Sequence, residues 1–167
     1  MRLRRLAPLL VVAALAGCGG HSAQKVPPGA IAVVGDRAVP RAALDAELVR
    51  SRRAYQARGQ AFPARGTTAY RRLEDAAVRL VVDRARLEVE AKRAGIVIPD
   101  SRVDAGLRRL RDTTFGGDVA RYRAQLAMTG MTDADVREAI RTQLLADALR
   151  GRHIQPAAVV YAPGFEP

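Results

Sequence analysis

Between Thr67 and Gly95 the apolar residues Leu73, Ala77, Leu80, Leu87, Ala91 and Ala94 recur at spacings of three, four and seven. That is the period of one stripe on an α-helix, and Thr67 or Thr68 as cap with Gly95 as stop sets its ends. A helix this long with a single apolar stripe must bury it against partners, which commits the chain to a packed helical body. The neighbouring segments supply those partners. Pro40 opens a helix with Leu44, Leu48 and Ser51 on one side, its missing amide tolerated in the first turn, and Gly59 to Gly66 breaks it. After the long helix, Ile96 to Ile98 reads as extended. Pro99-Asp100-Ser101 starts another helix, with Ser101 and Asp104 spaced as a capping box and Val103, Leu107 and Leu110 on its buried face. Phe115-Gly116-Gly117 interrupts, and a helix from about Asp118 to Met128 carries Tyr122 and Leu126 as far as Gly130. Thr132 to Asp135 repeats the capping signature, and Val136, Ile140, Leu144 and Ala148 mark a last helix that Gly151 ends.

The strands are minor. Ala30 to Val34 is a β-branched run, Gly35-Asp36 a turn signal, and Arg37 to Val39 a return, so a small hairpin precedes the helices. Ala157 to Ala162 is also β-prone, and two fates are open to it: pairing with Ala30 to Val34, or a loose tail. The fold class expected is mainly α with a short N-terminal hairpin. No fixed residue period marks a repeat array.

Ahead of this body, Arg2, Arg4 and Arg5 form a basic start, Leu9 to Leu15 an apolar run, and Leu15-Ala16-Gly17-Cys18 follows. The layout is that of a cleavable export signal, and the run is shorter than the ~20 residues that span a bilayer. It resembles a bacterial lipoprotein signal, which implies lipidation of the Cys18 thiol with diacylglycerol and cleavage before it. The expected organisation is a leader over 1–17, a Gly/Ser/Pro-containing tether over 18–29, a helical domain over 30–154 and a tail or strand over 155–167. Removing residues 1–17 takes three arginines and no acid, which leaves 25 basic against 17 acidic side chains and a charge of +8 in place of +11. Cys18 is the single cysteine, so no internal disulfide is available, and with no tryptophan the core must come from aliphatic residues and alanine.

The order of elements carries a second resemblance. Ala32-Val33-Val34-Gly35-Asp36-Arg37-Ala38-Val39 leading into a helix is one part of it. The long helix closed by Ala94-Gly95 and restarted at Ile98-Pro99-Asp100 is another. Phe115-Gly116-Gly117, Tyr122, Leu126, Gly130-Met131-Thr132 and the helix through Leu149 complete it. Together they resemble the N-terminal chaperone domain of SurA-type and PrsA-type exported folding factors over roughly 30–154. Pro40 departs from that pattern, which usually has a threonine-like cap there. Relatives commonly continue into a parvulin peptidyl-prolyl isomerase domain of about a hundred residues. Here 13 residues follow Ile154, so isomerase activity is not expected.

Enzyme chemistry is not expected either. His21 and His153 lie outside the helical body, Ser22, Ser51 and Ser101 read as linker, helix surface and cap, and the glycines form no phosphate loop. No His or Cys spacing offers a metal site, and no cofactor or small-molecule substrate is implied. Asp83, Glu88 and Glu90 stand among Arg79, Arg84 and Arg86 and read as an ion-pair face, and Asp75–Arg79, Glu88–Lys92, Asp104–Arg108 and Asp133–Arg137 are spaced i, i+4.

One stretch is unbalanced: Leu48 to Leu73 carries Arg50, Arg52, Arg53, Arg58, Arg65, Arg71 and Arg72 with no acid, interleaved with Tyr55, Phe62 and Tyr70. Solvated surface, anionic lipid headgroups and client capture are all open readings. Nucleic acid is not expected as a partner beyond the membrane. The function expected is a membrane-anchored, extracytoplasmic, ATP-independent chaperone that binds unfolded or newly exported polypeptides. The resemblance implies a groove between helices, with Phe115, Tyr122, Leu126, Met128 and Met131 as candidate client contacts. A lipoprotein of the cell envelope with one specific partner is the alternative.

Overall fold

The β-branched run and its turn form the hairpin. β1 (Ala30–Val34) and β2 (Arg37–Pro40) pair antiparallel, with Val34 opposite Arg37 and Val33 opposite Ala38. The computed structural model describes residues 25–152 and 154–167. The leader, Cys18, most of the tether with His21, and His153 lie outside the described residues. The β-prone run near the C-terminus supplies β3 (Val159–Tyr161), antiparallel to β1 with Val33 opposite Val160, so the strand order is β2-β1-β3. Pairing wins over a loose tail for a reason visible in β1. Ile31, Ala32, Val33 and Val34 are all buried, and an open edge on a buried strand would strand its amides and carbonyls. Gly35 N–H donates to the Ala158 carbonyl at 2.8 Å and Ala162 N–H to that of Ile31 at 2.7 Å, which extends the ladder at both ends.

Five helices follow the hairpin: α1 (Arg41–Ala57), α2 (Thr68–Arg93), α3 (Asp100–Phe115), α4 (Val119–Thr129) and α5 (Asp133–Leu149). The class is mainly α. Pro40 precedes α1 with an extended backbone (ψ 148°) and no side-chain cap. The first amide is met instead by backbone, Arg41 N–H donating to the Gly29 carbonyl at 2.8 Å. Thr67 caps α2 by accepting from Tyr70 N–H at 3.1 Å.

The first core lies between the sheet, α1 and α2, and gathers Ile31, Val34, Val39, Leu44, Val78 and Val82 among others. Here α2 departs from the leucine stripe. Ala77 and Ala91 are buried as the spacing predicts, but the remaining inward positions are Tyr70, Val78, Val81, Val82, Ala85 and Val89. Leu73, Leu87 and Ala94 are half-buried and Leu80 is 46% exposed. The sheet selects the valine row, whose branched side chains pack closely on a pleated surface. The leucine row is turned to the side.

A second, smaller core joins α3, α4 and α5 through Leu107, Tyr122 and Val136, flanked by Leu110, Phe115, Leu126 and Ile140. A Cβ on Gly106 would stand 2.7 Å from Ile140 Cγ2, so the missing side chain sets how closely α3 and α5 approach. Along that seam, Asp100 pairs with Arg141 at 2.5 Å, Asp104 with Arg137, and Arg111 with Asp133 at 2.7 Å. The capping box expected at Ser101 does not form. Pro99 takes the N-cap position and α3 starts two residues earlier than that box requires, at Asp100, so Ser101 is already helical and exposed while Asp104 is engaged by α5. The box at Thr132 does form: Asp135 N–H donates to Thr132 Oγ1 at 3.2 Å and Thr132 N–H to Asp135 Oδ2 at 2.8 Å. Of the four i, i+4 ion pairs, Asp133–Arg137 closes at 3.0 Å, while Glu88 reaches Arg37 on β2 and Asp104 reaches α5. Among the described residues no helix is long and apolar enough to cross a membrane.

Candidate functional site: a groove between the two cores

The corner between α4 and α5 rests directly on α1. Gly130 ends α4 at φ 68°, and a Cβ there would lie 2.5 Å from the Arg53 carbonyl oxygen, so glycine alone permits the approach. Beside it, Asp135 pairs with Arg53 at 2.8 Å and with Arg50 at 3.5 Å, and Arg50 also reaches Glu47 at 2.5 Å. Arg84 of α2 stands 3.4 Å from Glu138 of α5. These pairs rim a groove of 350 Å³. Its apolar lining is Ala54 from α1, Leu80 from α2, Met131 from the corner and Ala139 from α5. Leu80 and Met131 are 46% and 41% exposed, which leaves two flexible aliphatic side chains open to solvent inside a ring of charge.

That charge is held in place rather than free. Burial works against ionisation of Asp135, but hydrogen bonds from the Thr132 side chain and backbone and the charges of Arg53 and Arg50 keep its carboxyl below the usual range. Burial likewise opposes ionisation of Asp133, and the Tyr122 hydroxyl, Arg137 and Arg111 hold it below the usual range. Tyr122 is shifted upward, by burial first and by its 2.9 Å bond to Asp133 second. Arg111 lies 4.6 Å over the Tyr122 ring. A rim already paired leaves little net charge at the mouth of the groove. Ser51 and Thr129 bring hydroxyls to the lining, both histidines lie outside the described residues, and among those residues no cluster of metal-binding side chains occurs.

Of the five candidate client contacts, the structure brings only Met131 into this groove. Phe115, Tyr122 and Leu126 belong to the second core, Phe115 edge-on to Tyr122 at 5.5 Å, and Met128 is 67% exposed on α4 away from the lining. Leu80, Ala54 and Ala139 had no place among those candidates. The signal for Leu80 is its row: Leu73, Leu80 and Leu87 run beside the valines rather than among them.

The arginine stretch divides. Arg50 and Arg53 point to Asp135. The other five are exposed and form no ion pair among the described residues. Arg52 stacks 4.6 Å over Phe62 and Arg58 lies 5.3 Å from the Tyr55 ring centre, while Arg71 donates to the Gly66 carbonyl at 2.9 Å. Phe62 is edge-on to Tyr55 at 5.5 Å and to Tyr70 at 6.2 Å, which pins the loop after α1 back along that helix. Arg65 shares a depression of 390 Å³ with Arg41, Val49 and Arg52, in which Asp45 is the one carboxylate; no carboxylate partner meets Arg72.

A scan against family models matches the SurA-like N-terminal domain over residues 5–150. No curated protein and no solved structure matches the chain. The match takes in the hairpin, all five helices and the groove, and the chain belongs to the SurA-like N-terminal domain family.

Proposed function

We propose that this protein is a lipid-anchored, extracytoplasmic chaperone that binds unfolded or newly exported polypeptides without ATP, receiving client apolar side chains beside Leu80 and Met131. Membership of a chaperone-type, non-catalytic domain family supports the class. The observation that carries the site is the exposed Leu80–Met131 pair, set between two cores and rimmed by ion pairs. Methionine adapts its shape to varied partners at little cost, and arginine stems extend the apolar floor while their heads stay hydrated. A groove of 350 Å³ takes a few side chains of an extended chain and no folded partner. Anchoring rests on the Leu15-Ala16-Gly17-Cys18 sequence, with the thiol as the acylated atom.

Aggregation of a denatured exported protein tests the groove. Residues 19–167 at several-fold molar excess are expected to suppress it, and Leu80→Ser with Met131→Ser to abolish most of the suppression. No suppression by the unsubstituted protein ends the chaperone reading. Crosslinking in intact cells separates a broad set of clients from the single dominant partner that an interaction lipoprotein would give. Cys18→Ser is expected to release the protein from membranes washed in about 0.5 M salt, where exposed charge pairs are screened. Retention under that wash argues against lipidation.

A further inference from the structure

The arginine stretch outside the groove has its own geometry. Arg41, Asp45, Val49 and Arg52 follow one another up a single face of α1, and the loop after α1 lays Phe62 and Arg65 alongside. Val49 is 57% exposed at the centre of this face. Arg41, Arg52 and Arg65 share its depression with Asp45, and Arg58, Arg71 and Arg72 stand exposed on the adjoining end of α1 and the start of α2. Arg52, Arg58, Arg65, Arg71 and Arg72 form no ion pair among the described residues, whereas Arg50 and Arg53 on the other side of α1 are claimed by Asp135. Two of the five guanidinium groups rest against aromatic rings, Arg52 on Phe62 and Arg58 on Tyr55. A face that holds guanidinium groups beside an exposed valine suits phosphate oxygens in a plane above a shallow apolar layer.

We propose that this face, from Arg41 and Arg52 on α1 through the loop to Arg71 and Arg72 on α2, docks on an anionic phospholipid surface. Chain entry agrees with that placement. Gly29 accepts the Arg41 amide at 2.8 Å, so the segment from Cys18 reaches the fold at the end of α1 where the face begins. At ~3.5 Å per extended residue the intervening chain spans a few tens of ångströms, enough to let the face lie flat. The docking goes beyond the client-binding reading and needs neither the groove nor the acyl chain. Only the placement by chain entry rests on the proposed anchor at Cys18.

Vesicle co-sedimentation of unlipidated residues 19–167 tests it, since both cores and the sheet are built from residues inside that range. Binding is expected to phosphatidylglycerol–phosphatidylcholine vesicles and not to phosphatidylcholine alone, and to fall by about tenfold or more on moving from low salt to about 0.3 M. Replacing Arg52, Arg58, Arg65, Arg71 and Arg72 by Gln is expected to lower it by a similar factor. Removing the same charge from exposed α3 and α4, as Arg102, Arg108, Arg109, Arg121 and Arg123 to Gln, is expected to leave most of it. Hydrogen exchange on the unsubstituted protein gives a reading free of variant folding, with vesicle-induced protection expected over 41–72. Absence of binding, equal loss in both variants, or protection centred on α3 and α4 overturns the proposal. Tighter binding to a single-stranded oligonucleotide than to the vesicles in the same salt overturns it too. Suppression of aggregation that survives the five-arginine variant keeps the groove reading separate from this one.

Discussion

Asp135 does three jobs with one carboxylate: it closes the Thr132 capping box, holds Arg53 of α1, and faces Arg50. Asp135→Asn keeps part of the cap and loses both ion pairs, and is expected to cost about 1–2 kcal/mol in chemical denaturation. Acid acts on the same atoms. Asp133 and Asp135 are both held below the ordinary 3.8, so the unfolded chain takes up their protons first and their stabilisation, complete near neutral pH, drains away as pH falls below about 4. The thermal midpoint is therefore expected to drop between pH 5 and 3, with a shallower slope in Asp133→Asn. An unchanged slope would remove Asp133 from this role. Gly130 offers a cleaner contrast. Gly59→Ala meets only the strain of a positive φ, with open space around its Cβ, whereas Gly130→Ala drives a methyl into the Arg53 backbone. Gly59→Ala is expected to cost about 1 kcal/mol and Gly130→Ala well over that, with loss of the groove. The box at Thr132 is legible in sequence because cap and partner lie three residues apart. Asp135's two arginines, more than 80 positions away, are not.

At the level of elements, β3 is three residues long yet decides how β1 is buried. Truncation after Gly151 removes Val159–Tyr161 together with Ala157 and Phe165, uncovers the second edge of a strand in which Ile31 to Val34 are buried, and invites pairing between chains. A lower melting temperature and concentration-dependent aggregation are expected, read by circular dichroism and light scattering; a truncated chain that melts as the full one does would show that β3 is dispensable. Leu44 is fully buried on α1, and Leu44→Ala is expected to cost about 2–5 kcal/mol. Local pattern placed these elements well, because caps, glycine stops and the proline start act within a turn or two. It placed their faces less well. α2 carries a leucine row and a valine row side by side, both at helical spacing, and periodicity alone does not rank them. Contact with the sheet does. Ser101 illustrates the same limit, since a proline two residues earlier sets the helix start ahead of it.

Over the whole molecule, two cores of unequal depth meet along α2 and α5 with the groove at their junction. α2 buries eight side chains, whereas α1 and α4 bury one each, Leu44 and Tyr122, and α4 is the shortest helix at 11 residues and contributes only to the smaller core. Amides of α4 are accordingly expected to exchange with solvent fastest among the five helices and those of α2 slowest; equal protection would show a single cooperative core. Mobility at α4 would let the corner that carries Met131 adjust to different clients. Sequence by itself determined the helical class, the hairpin, the end of nearly every helix, and the excess of arginine between Leu48 and Leu73, since each of these follows from near-neighbour sterics, backbone hydrogen bonding and composition. Tertiary structure alone decided that Leu80 faces solvent beside Met131, that Phe115, Tyr122 and Leu126 close a core, and that Arg50 and Arg53 are neutralised while five neighbours stay open. The reason is physical: a helix fixes which residues share a face, but which face is buried depends on partners that the chain brings together from far along its length.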